Sequence, residues 1–193
     1  MRAVLVNVTE REIDERRRKG LDRYDEMWEG VLHMAPAPSH EHQRMVADLI
    51  EFLRPLVRSS GRGSLVPGIN VIAEDADYRI PDLTFVAAGH EGLLADDGVR
   101  GGGPDCVVEV RSPDDETYEK LPFFARIGTR EVVVLDRDSK RPEVFRLAGP
   151  QYVAVAADRE GWLVSETLRV RFRSEAGRLL LEDLDEPSQR ASV

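Results

Sequence analysis

The feature that most constrains this chain is a carboxylate set inside an apolar run. Cys106-Val107-Val108-Glu109-Val110 reads as a central strand buried on both faces, with Glu109 in the middle of it. Burying a charge without a partner costs several kcal/mol, so such a group pairs with a cation or helps to hold a metal ion. A second β-type run, Leu83 to Val86, directly follows Pro81-Asp82, where the proline fixes the local backbone. A sheet that pairs the two runs brings both carboxylates to one edge. Magnesium takes oxygen ligands, commonly one or two carboxylates with waters and phosphate completing its shell, so two suffice. The spacing leaves a structural alternative open, in which Glu109 pairs with Arg111 or Arg130 and Asp82 only caps a turn.

The remaining pattern is that of an α/β chain. Thr9 and Glu12 have capping-box spacing and predict a short exposed helix to Lys19, ended by Gly20. The segment Met27 to Met34 predicts a hairpin turning at Glu29-Gly30. Ser39 then caps a main helix in which Met45, Leu49, Phe52 and Leu56, with Val46, Ile50, Leu53 and Val57, form a broad apolar stripe; Pro55 should kink or end it. Short β-type runs follow at Ser64 to Val66 and Asn70 to Ala73. After the Glu109 run, Asp114 or Asp115 predicts a helix cap, with the helix reaching about Ile127, and Glu131 to Leu135 is the next strand, a unit suited to a parallel crossover. Val144 to Leu147, Tyr152 to Val155, Trp162 to Ser165 and Leu168 to Phe172 predict antiparallel strands. We expect an N-terminal extension over 1–23, one domain over 24–184 and a disordered tail over 185–193.

Composition narrows the function classes. No apolar run approaches the ~20 residues that span a bilayer, and the N-terminus lacks a secretory apolar region, so a cytoplasmic protein without a membrane partner is expected. The single Cys106 agrees with a reducing compartment. The net charge of −9 speaks against phosphate binding at first, but 13 acidic and 3 basic residues lie between Glu74 and Glu119, which leaves the rest of the chain near neutral. That concentration suits a divalent-cation site, although a solvated acidic loop accounts for most of Glu91 to Asp97.

Two further side chains are candidates for chemistry. Lys120 lies on the helix after the Glu109 strand, where its ammonium can swing back to stabilise the charge that develops in phosphodiester hydrolysis, or else remain solvated. His42, in the first turn of the main helix, can reach a phosphate or position a water, or serve only as a polar cap. His33, His40 and His90 lack metal-ligand spacing, Ser112 lacks the glycine context of a nucleophile elbow, and Gly101-Gly102-Gly103 lacks a nucleotide-loop pattern.

At these residues the sequence resembles the Uma-type putative restriction endonuclease family, a branch of the PD-(D/E)XK nuclease superfamily. The resemblance runs from about Tyr24 to Leu184 through DEMWEGVLHMAPAPSHEHQ, RIPDLTFV, CVVEVRSPDDETYEK and LPFFARIGTREVVVLD. It implies a restriction-endonuclease-like core, a mixed β-sheet flanked by helices, with an N-terminal helix and hairpin and additional antiparallel strands. It also implies Asp82 and Glu109 as ligands of Mg2+, with Mn2+ as a substitute, and DNA as substrate. The wider superfamily has its lysine two residues after the glutamate, where this chain has Arg111; in this family the lysine falls on the following helix, and Lys120 matches it. His42 falls on a histidine common at the family's helix start. The expected function is a magnesium-dependent endonuclease acting on DNA as a homodimer. The alternatives are a non-catalytic interaction module on the same fold and a metal-dependent hydrolase of a smaller phosphoester.

Overall fold

The computed structural model describes residues 3–193. In chain order the first elements are β1 (Ala3–Leu5), α1 (Glu10–Arg18), β2 (Asp25–Trp28), β3 (Val31–Met34), α2 (His40–Ser59), β4 (Gly63–Pro67), β5 (Val71–Glu74), β6 (Asp77–Arg79) and β7 (Leu83–Ala87). Two short strands follow, β8 (Leu94–Ala95) and β9 (Gly98–Val99), then β10 (Cys106–Arg111), α3 (Leu121–Arg126) and β11 (Glu131–Asp136). The chain closes with β12 (Pro142–Ala148), β13 (Gln151–Ala154), β14 (Leu163–Ser165), β15 (Val170–Glu175), β16 (Arg178–Asp183) and β17 (Arg190–Ser192).

The central sheet has six strands in the order β13-β12-β11-β10-β7-β4. The β10–β11 pair is parallel and its neighbours are antiparallel, which makes the sheet mixed, as expected. Its two faces are covered by different helices because side chains alternate along each strand. Cys106, Val108 and Val110, with Leu83 and Phe85, pack on Met45, Val46, Leu49, Leu53 and Val57 of α2 and on the C-terminal sheet, four strands in the order β14-β15-β16-β17. Val107, Val132, Val134 and Val86 face the other way, against Phe123 and Phe124 of α3. Asp82 and Glu109 stand in the alternation of this second face.

The helix stripe is core, although Phe52 and Leu56 are half-buried at its border. Pro55 does not end α2, which continues to Ser59. The capping box on α1, the Ser39 cap on α2 and the Glu29-Gly30 turn, with φ of 49° and 85°, all form as their residue types dictate.

Two expectations need correction. The helix after β10 does not begin at Asp114 or Asp115: Asp114 has φ of 58°, and Asp115 accepts the backbone N–H groups of Ser112 and Thr117, so the chain turns first. A single 3-10 turn, Tyr118–Lys120, then leads into α3. The 185–193 segment expected to be a disordered tail carries β17, which pairs with β16 and packs Ala191 and Val193 on the core. The glycine triplet has a packing reason, since a Cβ at Gly103 would lie 2.5 Å from both the backbone N and the Oγ1 of Thr129.

Candidate active site

The β7–β10 ladder pairs Phe85 with Cys106, Thr84 with Val107 and Leu83 with Val108. One step further along the same register sets Asp82 opposite Glu109, on the α3 face of both strands. The Asp82 carboxylate reaches the backbone N–H of Val110, the residue after Glu109, and the two carboxylates lie close enough for their charges to act on each other. Both oxygens of Asp82 are held: Oδ2 accepts the backbone N–H of Val110 at 2.7 Å, and Oδ1 lies 2.9 Å from His42 Nε2. The other ring nitrogen of His42, Nδ1, lies 3.3 Å from Ser112 Oγ. The start of α2 thus brings His42 to Asp82, as a support for its carboxylate.

Glu109 is 4% exposed. Its cation is Lys120, whose Nζ lies 3.2 Å from Oε1 and 3.5 Å from Oε2. The two arginines considered as alternatives are engaged elsewhere, Arg111 with Asp136 at 2.8 Å and Arg130 with Asp105 at 3.4 Å. Asp82 does not act as a turn cap but reaches across to the neighbouring strand. Burial raises the Glu109 carboxyl to about 8, with Asp82 and Glu26 adding to the rise and Lys120 opposing it. Lys120 is held charged well above the ordinary lysine value, because Glu109, Glu26 and Asp82 together outweigh the cost of burial.

The sequence reading missed Glu26. It lies on β2, 7% exposed, and its Oε1 is 2.9 Å from Lys120 Nζ. Oε1 also accepts the backbone N–H of Ile80, and Oε2 the Trp28 Nε1–H, each at 2.8 Å. Burial is the largest single influence and would raise its carboxyl, but Lys120 and these donors together outweigh it and hold the carboxyl below the usual range. The signal available was a charge at the head of the predicted hairpin; its meaning depends on a sheet pairing that the hairpin alone does not reveal.

The site therefore brings together Asp82, Glu109, Lys120 and His42, all four of the expected residues, and adds Glu26. The donor atoms around Asp82 and Glu109 are carboxylate oxygens, which fit a hard divalent cation. Among the described residues no group of three or more His, Cys, Asp or Glu converges as a closed metal shell. A cation here would take two carboxylates and complete its coordination with water or phosphate, as magnesium commonly does. Among the described residues no helix is long and apolar enough to cross a membrane.

Comparison with known proteins gives a concordant result. No curated protein matches the chain. A solved structure similar to it is a "putative nuclease belonging to DUF820" from Anabaena variabilis ATCC 29413, at 14% identity and a TM-score of 0.60, covering 75% of this chain and 82% of that one. At that identity the likeness is one of fold. The profile of the Uma2 family, described as "Putative restriction endonuclease", matches residues 13–176. That match spans most of the sequence, including both carboxylate strands and Lys120, and the chain belongs to this family.

Proposed function

We propose that this chain is a divalent-metal-dependent endonuclease that hydrolyses DNA phosphodiester bonds, with Asp82 and Glu109 holding magnesium or manganese and Lys120 facing the reacting phosphate. The observation that carries the reading is the juxtaposition of Asp82 and Glu109 across β7 and β10, with the Lys120 ammonium 3.2 Å from Glu109. When bound, the ion would neutralise phosphate charge and lower the pKa of a coordinated water. The protein's own groups do the rest. Val110 N–H and His42 fix the Asp82 carboxylate, and Lys120 presents a positive charge where negative charge builds on the phosphate.

Cutting both strands with one centre per chain calls for two copies, so a homodimer is part of the proposal, and sedimentation velocity reads it directly. The net charge of −9 favours a second reading, a non-catalytic interaction module that keeps the fold without turnover.

Incubation of supercoiled plasmid with the protein and Mg2+ or Mn2+ tests the reading. The wild type should nick or linearise the plasmid, and Asp82→Asn and Glu109→Gln should not. Intact DNA with either metal, alongside no metal binding at Asp82 and Glu109, would support the second reading. Hydrolysis of a small phosphodiester in place of DNA would shift the substrate class.

A further inference from the structure

We propose that Glu26 is the positioning residue of this site: it holds Lys120 beside Asp82 and Glu109, so that the ammonium stays in place when Glu109 turns to a metal ion. The catalytic part of this inference rests on the nuclease reading above; the grip on Lys120 does not.

Two carboxylates contact the ammonium, and they differ in how they are held. Glu26 Oε1 is the nearer, at 2.9 Å against 3.2 and 3.5 Å for the two oxygens of Glu109. Glu26 is also anchored at both oxygens by donors other than Lys120, the Ile80 backbone N–H on Oε1 and the Trp28 indole N–H on Oε2. The indole is itself immobilised: its ring is stacked on His33 at 4.2 Å, and the Arg79 guanidinium lies over it at 4.2 Å. Among the described residues the hydrogen bonds to the Glu109 carboxylate come from Lys120. Glu109 is thus free to reorient toward an ion, whereas Glu26 is fixed by the fold.

The geometry has two consequences. An ammonium carries three N–H donors, so with Glu26 and Glu109 engaged one remains for a phosphate oxygen, and with Glu109 on an ion two remain. Ile80 stands two residues before Asp82, so the same carboxylate that grips Lys120 also fixes the approach to the Pro81-Asp82 turn. The pair is shielded from solvent, with side-chain exposures of 13% for Lys120 and 9% for Glu26, so salt should not dissolve it as it dissolves a surface pair.

The chain has three lysines, Lys19, Lys120 and Lys140, which makes the grip directly measurable. A short pulse of an amine-acetylating reagent, read by peptide mass spectrometry, compares Lys120 with the exposed Lys19 as internal reference. In Glu26→Gln the labelling of Lys120 should rise about tenfold or more, the scale of one charge-assisted hydrogen bond. In Glu109→Gln it should stay close to wild type. With DNA as substrate, Glu26→Gln should lower kcat and leave KM and the magnesium-induced rise in Tm unchanged, and Glu26→Asp should recover part of the loss.

Lys120 remaining protected in Glu26→Gln, or being released equally in Glu109→Gln, would overturn the proposal. Loss of the magnesium-induced rise in Glu26→Gln would make Glu26 a ligand instead and overturn it too. If Glu26→Gln does not fold, Glu109→Gln decides alone: a protected Lys120 supports the grip by Glu26, and a released one refutes it. A wild type that cleaves no DNA while Lys120 follows the expected labelling would sink the nuclease reading and leave the grip standing.

Discussion

Asp82 and Val110 are tied across two strands, the Asp82 Oδ2 accepting the Val110 backbone N–H at 2.7 Å. The bond extends the β7–β10 pairing by one side-chain step and holds the Asp82 carboxylate against the residue that follows Glu109. A carboxylate held in this way would lose little conformational freedom on binding an ion.

His42 holds the other oxygen of Asp82, at 2.9 Å. His42→Ala should therefore lower turnover or metal affinity by ~10–100-fold, as removal of an outer-shell partner of a metal ligand commonly does. The two quantities are read by plasmid cleavage and by magnesium-dependent thermal shift. Unchanged values in both would reduce His42 to a polar residue in the first turn of α2.

Glu131 is the clearest source of pH-dependent stability away from the site. It is 1% exposed and accepts from Ser165 Oγ at 2.7 Å, Thr167 N at 2.9 Å and Arg146 Nη2 at 3.0 Å, joining β11 to the C-terminal sheet. Burial raises its carboxyl, but the bonds from Ser165, Thr167 and Arg146 outweigh that and hold it below 4.5. A depressed folded value means the stabilisation is complete above the unfolded value and is lost as pH falls through the folded one. Glu131→Gln should cost ~1–3 kcal/mol near neutral pH by weakening the hydrogen bonds to a buried carboxylate, its Arg146 partner being half-exposed and also paired with Glu166, and the loss should shrink below about pH 4. Denaturant unfolding at pH 7 and pH 3.5 measures both; an equal loss at the two values would remove the carboxylate's charge from the account.

Gly103 lies against the turn between α3 and β11, and donates its N–H to Ile127 O at 2.6 Å. Gly103→Ala should destabilise the fold by ~1–3 kcal/mol through overpacking against Thr129, where the obstructing atoms include backbone. Gly101→Ala has open space but a φ of 80°, so its cost should be conformational and smaller. Thermal unfolding of the two variants gives the order.

Leu49 is 0% exposed at the centre of the α2 stripe. Leu49→Ala should cost ~2–5 kcal/mol, and Phe52→Ala less than a fully buried phenylalanine would. A loss under half a kcal/mol at Leu49 would contradict the packing of α2 on the central sheet.

What the sequence disclosed depended on how local each signal was. The α2 stripe and the strands around Leu83, Val108 and Val133 were legible because their periodicity lies within single segments and their apolar faces must be covered. Asp82 and Glu109 stood out because a carboxylate at the end of, or inside, an apolar run requires a physical reason. Glu26 did not stand out: β2 reads as part of a local hairpin, and its contact with Lys120 is made only once β2 pairs with β6 and the 3-10 turn folds over it. The late start of α3 escaped for a related reason, since either aspartate suits a helix cap until Asp114 adopts positive φ. The strand at Arg190–Ser192 was hidden because it pairs through its backbone and contributes few apolar side chains.

The central claim is that Asp82 and Glu109 share one divalent cation. Anomalous diffraction from a crystal soaked in Mn2+ tests it most directly. The account predicts one strong peak between the two carboxylates, within bonding distance of an oxygen from each, with Lys120 still on Glu26, and no such peak in Glu109→Gln. A crystal at saturating Mn2+ with both carboxylates free of metal and Lys120 still bridging Glu26 and Glu109 would contradict it.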